Sequence, residues 1–428
     1  MVMQNIMTMK LCPAIASITP VHRVPLSGRG GLPRMFEEGG DQLEANAVAL
    51  AKENGHVVII ALDTLFASDA LHDAVKQMLG SALGENDIDL ILVASHTHNA
   101  PSLDPTKPGL GEMDQTYFTY CAEQIATCAA NAITTANKAK PANISHGKSS
   151  CALNAVRRKK AVRLSSHAPF IHYGTQLLPN RSTATPHGLD IIIAYDANKN
   201  PLWAIWSWAC HATSFPYGNV ISPDFPGPVR DSLRRQLGCP DLPVIYLPGF
   251  AGDIRSDAMR SPVPLRKRLA SPFSRPFADC TPENFDFLCA GLSVAIKDAL
   301  NNMAELGPLK ANAHIVSDSI AFDELMETPR SGNISLVQLT AAPLNFFFMG
   351  AETCSPYRAL FAPHLPLDTV MSGYAGDVPL YLPVDSQIAE GGYEVDGFRH
   401  SFGLPGHYFD RIEHILTARV IALATRHS

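Results

Sequence analysis

The chain has 428 residues, of which 46% are hydrophobic and 17% charged, and its formal charge is −6 at neutral pH. That length and apolar content suit a single large globular unit. The acidic balance, with no basic run longer than Arg157-Arg158-Lys159-Lys160, excludes a nucleic-acid surface on electrostatic grounds.

The opening stretch MVMQNIMTMKLCPAIASITP lacks a basic segment followed by a long apolar core and a clear cleavage site, so no secretory leader is expected. No run approaches the roughly eighteen apolar residues of a membrane span, so no transmembrane segment is expected. The nine cysteines stand singly, at positions 12, 121, 128, 151, 210, 239, 280, 289 and 354, without a C-x-x-C. A disulfide framework and a cysteine-based zinc ribbon are therefore not expected, and a reducing, cytoplasmic setting is.

In chain order, the first strand is expected over 56–62 and a helix over about 66–82. A second strand, 90–94, stops at His96-Thr97-His98, and a helix follows over about 113–137 with Asp114 as N-cap. The segment from about 140 to 188 breaks the rhythm and reads as an irregular insertion. Strands resume at 191–195 and 202–208, the latter followed by His211 and, before a helix over 225–237, by Asp224. The strand 244–247 leads to Gly249, Gly252 and Asp253, and a second irregular stretch covers 255–280. A helix over 282–301, capped by Thr281, precedes strands at 336–339 and 344–349, and Glu352 follows directly. A helix over 407–426 closes the pattern. Strands alternating with helices imply an α/β fold, a mixed central β-sheet with helices on both faces and long active-site loops. No linker divides the chain, so 1–428 is expected to be one catalytic domain.

Four expected strand ends carry chemistry: His96 and His98, His211, Asp253, and Glu352. Ligands of open α/β sheets bind at the carboxyl ends of strands, so these residues are candidates for one site. In an H-x-H on a strand both side chains would share a face. Two imidazoles and a carboxylate suit zinc, and three protein ligands plus water make the open, catalytic form of such a site.

The phrases around these residues occur in a fixed order: SITPVHRVPLSG, LVASHTHNAPS, CHATSFPYGNVISPDFPG, PGFAGDIRSD, MGAETCSPY and LYLPVDSQIAEGGYE. This ordered set resembles the neutral/alkaline, non-lysosomal ceramidases, zinc-dependent hydrolases of N-acyl amides. The resemblance implies Zn2+ held by His96, His211, Glu352 and a tyrosine. Tyr381 and Tyr374 compete for that last place, and Tyr381 is preferred because Tyr393-Glu394 follows it at the family's spacing. It further implies that His98, Arg157 and Tyr393 face the substrate carbonyl and that Glu352 also serves as base, with Arg158 an alternative to Arg157. Asp253, in the family's G-D motif, joins the catalytic candidates. Asp253 and Asp224 would hold a histidine in place or serve the fold.

The chain departs from the family pattern at Arg255, where a serine is usual, and in ending without the family's C-terminal β-domain. The implied substrate is a small N-acyl, ceramide-like amide. A zinc esterase or peptidase-like hydrolase on the same site, or a metal-binding homologue without turnover, are the alternatives. Arg260, Arg266, Lys267, Arg268 and Arg275 in the second irregular stretch would favour an anionic substrate if they lie near the entrance, or form a solvated loop.

Overall fold

The computed structural model describes residues 13–29, 34–36, 39–84, 87–139, 141–164, 170–259, 262–310 and 312–426. Cys12 and Arg260 lie outside the described residues.

Every strand expected from an apolar run is present, as Gly55–Leu62, Ile88–Ala94, Gly188–Tyr195, Pro201–Trp208, Val244–Pro248, Asn333–Ala341 and Leu344–Met349. The expected mixed α/β arrangement is realised with its strands divided among several sheets. One sheet runs Ile15–Ser17, Glu44–Lys52, Gly55–Leu62, Ile88–Ala94. A second runs Val244–Pro248, Pro201–Trp208, Gly188–Tyr195, Asn143–Ser150, Ala304–Gly307. A third runs His314–Ala321, Asn333–Ala341, Leu344–Met349, Val370–Ser372.

The two-residue period of each strand assigns its side chains to two cores. Val57, Ile59, Val93, Ile192, Ile205, Ile245, Phe346 and Phe348 point into a core shared by all three sheets. Their neighbours point outward under helices. Val58, Ile60 and Leu92 pack beneath Asp69–Leu83 and Gln115–Lys138. Ile191, Ile193 and Trp206 pack beneath Pro226–Gln236 and Pro282–Asn301. The helix Ile412–Arg426 covers the third sheet. Each fully buried Leu, Ile, Val or Phe contributes about 1.5–3 kcal/mol relative to exposure, so the shared core alone locks the three sheets together.

Helix ends follow the sequence. Ser68, Asp114 and Thr281 each accept a hydrogen bond from a first-turn backbone N–H, as N-caps do. The stretch 140–188 is less irregular than expected: it holds Asn143–Ser150, Asn154–Val156, and the antiparallel pair Arg158–Leu164 and Ile171–Leu177. Polar and glycine residues in NISHGKSS and IHYGTQL hide these strands from an apolar pattern. Among the described residues of 255–280 there are only a short strand and the helix Leu265–Ala270. No helix among the described residues is long and apolar enough to cross a membrane.

Four parallel pairings bring strand ends to one place: Gly55–Leu62 with Ile88–Ala94, Pro201–Trp208 with Val244–Pro248, Leu344–Met349 with Val370–Ser372, and Glu352–Thr353 with Tyr381–Leu382.

Candidate functional site

His96 does not sit on a strand. The sheet ends at Ala94, and His96 takes φ +61°, a left-handed conformation unfavourable for a residue with a Cβ. Such strain persists only where surrounding contacts impose it, and it clusters at working sites. The contacts are present: Thr97 Oγ1 donates to Ser222 O at 2.7 Å, and Asn99 Nδ2 donates to Tyr217 O and Val220 O. The turn between the two histidines, rather than the alternation of a strand, brings their rings to 4.8 Å. Asp224 and Tyr374, on two of the facing loops, are left-handed as well, at φ +58° each.

The imidazoles are oriented through their Nδ1 atoms. His96 Nδ1 lies 3.1 Å from Leu65 O, and His211 Nδ1 lies 2.7 Å from Ala251 O. A carbonyl only accepts, so each Nδ1 carries the hydrogen and each Nε2 presents a lone pair. Both lone pairs face Glu352 Oε2, at 3.3 Å from His96 and 3.1 Å from His211. Glu352 and Tyr381 stand opposite each other in their parallel pairing, which places Tyr381 Oη 3.3 Å from His211 Nε2. Gly252 makes room for this strand, since a Cβ there would meet Glu352 O at 2.4 Å.

Burial and the nearby Arg157 cation push His211 down to about 4, so its imidazole is neutral at pH 7. Burial disfavours the Glu352 carboxylate, and what holds its carboxyl well below the usual range is positive charge on the His96 and His211 side, which neutral rings presenting lone pairs do not supply and a bound cation would. Glu352 Oε2 is buried and receives no hydrogen bond. Three buried acceptors within 4.8 Å of one another, with imidazole protons turned away, form an arrangement that a divalent cation satisfies. Among the described residues no other such group of His, Cys, Asp or Glu occurs.

Around this cluster lies a second layer of candidates. His98 Nε2 is 3.3 Å from His96 Nε2, and burial together with the neighbouring His96 and His211 keeps His98 neutral. Gly28, at φ +92°, permits the ring's position, because a Cβ there would lie 2.7 Å from His98 Cγ. Arg157 donates from Nη2 to Tyr381 Oη at 3.2 Å and sits over the rings of Tyr381 and Tyr393, its Cζ 5.7 and 5.4 Å from their centroids. Arg158 turns away, donating to Gln387 O and Gly391 O. Of the two arginines, Arg157 joins His98 in lining a cavity of about 450 Å³. Of the two tyrosines, Tyr374 stacks on His96 with ring centroids 4.5 Å apart, and its buried hydroxyl has no hydrogen bond.

Asp253 does not line that cavity: it is fully buried, its carboxylate accepts from Ser355 N at 2.7 Å and Gln387 Nε2 at 2.9 Å, and its carbonyl accepts from Arg157 N. Both carboxylate oxygens are thus engaged within the fold, in keeping with the structural one of the roles expected for it. Of the basic residues of 255–280, Arg255 lines the cavity, and Lys267, Arg268 and Arg275 do not. Lys267 pairs with Asp279, while Arg268 and Arg275 line a separate hollow of about 740 Å³ that touches none of the candidates. Asp224 accepts from the backbone N–H groups of Ser214, Phe215 and Phe225 and so shapes the loop after His211.

Sequence reasoning gave Glu394 no role. Fully buried, it bridges the two arginines, Oε1 accepting from Arg157 Nε at 2.6 Å and Oε2 from Arg158 Nη1 at 2.7 Å. Arg34, also missed, donates from Nη2 to His98 O at 2.9 Å.

No family model matches the chain, and no curated protein matches it in sequence. Among solved structures it is similar to the neutral ceramidase from Pseudomonas aeruginosa, with TM-score 0.67 and 14% identity over 96% of this chain and 74% of that one. It is likewise similar to a ceramidase complexed with C2, with TM-score 0.68 and 14% identity over the same shares. The chain shares their fold.

Proposed function

We propose that the chain, as one catalytic unit over 1–428, is a zinc-dependent hydrolase that cleaves the carboxylic amide of an N-acyl, ceramide-like substrate. The observation that carries this reading is the convergence of His96 Nε2, His211 Nε2 and the unpartnered Glu352 Oε2, beside a cavity lined by His98 and Arg157, in a fold shared with a neutral ceramidase. His96, His211 and Glu352 would hold the metal, with Tyr381 as the fourth group because its hydroxyl lies 3.3 Å from His211 Nε2. Zinc bound there supplies a Lewis acid that brings the pKa of a water toward about 7.

The remaining chemistry belongs to the side chains. Glu352, anionic at neutral pH, accepts the proton of the attacking water and returns it to the departing amine. His98, neutral, donates a hydrogen bond to the oxygen of the substrate carbonyl as negative charge grows on it. Arg157 adds a fixed positive charge on the same side. Burial opposes that charge, but Tyr381, Glu394 and Glu352 more than compensate and keep the guanidinium protonated. A preorganised donor of this kind is typically worth about 3–4 kcal/mol of barrier. Tyr393 packs against Arg157 and Tyr381 and limits where the substrate can lie. The eight unpaired cysteines among the described residues accord with a cytoplasmic setting.

The test is hydrolysis by zinc-loaded protein of N-acylsphingosines and simple N-acyl amides, alongside acyl esters and short peptides. Amide cleavage that chelation abolishes and His98→Ala lowers about 10²- to 10³-fold is the expected result. Cleavage of esters or peptides alone, or of nothing, overturns it.

A further inference from the structure

The cavity beside the candidate metal ligands carries more positive charge than amide hydrolysis requires. Arg157 shares the Glu394 carboxylate with Arg158, and Asp279, which also lines the cavity, is engaged by Lys267. Two further guanidiniums line the same cavity, Arg29 and Arg255. Among the described residues neither has a carboxylate within ion-pairing distance. Arg29 is exposed and reaches only Asn99 Oδ1, at 3.5 Å. Arg255 is half-buried and held by apolar and sulfur contacts: its Cζ lies 5.4 Å from the centroid of the buried Phe277 ring, and Nη2 donates to Cys280 Sγ at 3.5 Å. Its backbone is equally fixed. Arg255 pairs with Ala155 across a short antiparallel ladder, and the carbonyl of Ile254 accepts from His211 N at 3.2 Å. A cation is thus anchored one residue from the backbone that positions a candidate metal ligand, in a chain whose overall charge is −6.

We infer that Arg255, with Arg29, makes this cavity select an N-acyl amide bearing an anionic group, a carboxylate or phosphate on its amine portion. The inference rests on the amidase reading for the bond cleaved, while the recognition itself is a property of the cavity. A guanidinium offers a carboxylate or phosphate two parallel N–H donors, a geometry that a hydroxyl on a neutral amine cannot use equally. Stacking on Phe277 holds the fork in place before the ligand arrives. A neutral headgroup in the same cavity would leave the half-buried Arg255 without a counter-charge among the described residues.

The test compares N-dodecanoylglycine, N-dodecanoyl-phosphoethanolamine and neutral N-dodecanoylethanolamine as substrates of the zinc-loaded full chain. At least one anionic substrate is expected to exceed the neutral one about tenfold or more in kcat/KM. That ratio is expected to fall about 10- to 100-fold in Arg255→Gln, as loss of a charge-assisted hydrogen bond implies. A smaller fall is expected in Arg29→Gln, whose exposed side chain carries little folding risk. Arg426→Gln, the same charge change on the C-terminal helix, should keep the wild-type ratio. Cleavage of all three with the neutral one preferred, or a ratio indifferent to Arg255, overturns the inference and leaves the amidase reading standing. If none is cleaved the amidase reading fails, and calorimetric binding of N-dodecanoylglycine decides the inference. Binding about tenfold weaker in Arg255→Gln supports it, and equal or absent binding in both overturns it.

Discussion

Two buried polar clusters in this fold are built on opposite principles. In the first, Glu44 accepts from both Nη atoms of Arg234 at 3.0 and 2.8 Å and from Asn46 Nδ2, while Asp63 accepts from Arg230 Nη1 at 2.7 Å and from Glu44 N. Two carboxylates meet two guanidiniums, and the charge closes within the chain. In the second, two imidazoles, a carboxylate and a phenol gather with one carboxylate oxygen unpaired. A buried polar group without a partner costs about 1–3 kcal/mol, and His96 adds backbone strain. The first cluster is balanced in charge as protein. The second is an arrangement that a cation would complete, and under the proposed function that difference separates a structural network from a site.

The largest effect expected is at the ligands. His96→Ala should abolish both metal binding and hydrolysis, whereas His98→Ala should keep the metal and lower kcat about 10²- to 10³-fold. Equal metal loss in both would erase the distinction drawn between the two histidines. Next come the closed networks. Glu44→Ala and Glu394→Ala each leave two guanidiniums under-compensated and should cost about 3–5 kcal/mol in denaturant unfolding, Glu44→Ala without change in metal content. Glu352→Gln in metal-free protein removes an acceptor that has no donor, and should change stability by less than about 1 kcal/mol. A loss as large as that of Glu44→Ala would mean that the second cluster is closed after all.

The smallest effect is on acid stability. Burial raises the Glu44 carboxyl, but Arg234 and Arg230 hold it below its ordinary value, and Arg157 and Arg158 do the same for Glu394. Groups depressed in the folded state stabilise it fully above about pH 4 and lose that contribution as pH falls through their folded values. Glu44→Gln should therefore flatten the acid limb of the stability curve. An unchanged limb would show that the Arg234 pair contributes nothing.

Much of this was legible in the sequence, for identifiable reasons. Strands such as Gly55–Leu62 and Leu344–Met349 are buried on both faces and so read as unbroken apolar runs. Glu44–Lys52 does not: its alanines and the inward Glu44 and Asn46 conceal a strand that exists because Gly55–Leu62 pairs with it. His96, His211 and Glu352 stood out because metal-capable residues followed strand ends. The geometry of the histidine pair was misjudged, since alternation along a strand cannot foresee a left-handed turn. The alternatives for Asp253 could not be separated, because a carboxylate in a G-D motif looks the same whether it meets substrate or two N–H donors. Glu394 could not be found at all, because its pairing with Arg157 spans 237 residues and leaves no local trace.

Metal content of purified, zinc-reconstituted protein, measured by mass spectrometry beside the His211→Ala variant, decides whether the second cluster holds a metal. One zinc per chain is expected in the wild type, removable by chelation and absent from the variant. A folded wild-type protein that retains no divalent metal, or a variant that retains it equally, would contradict that expectation.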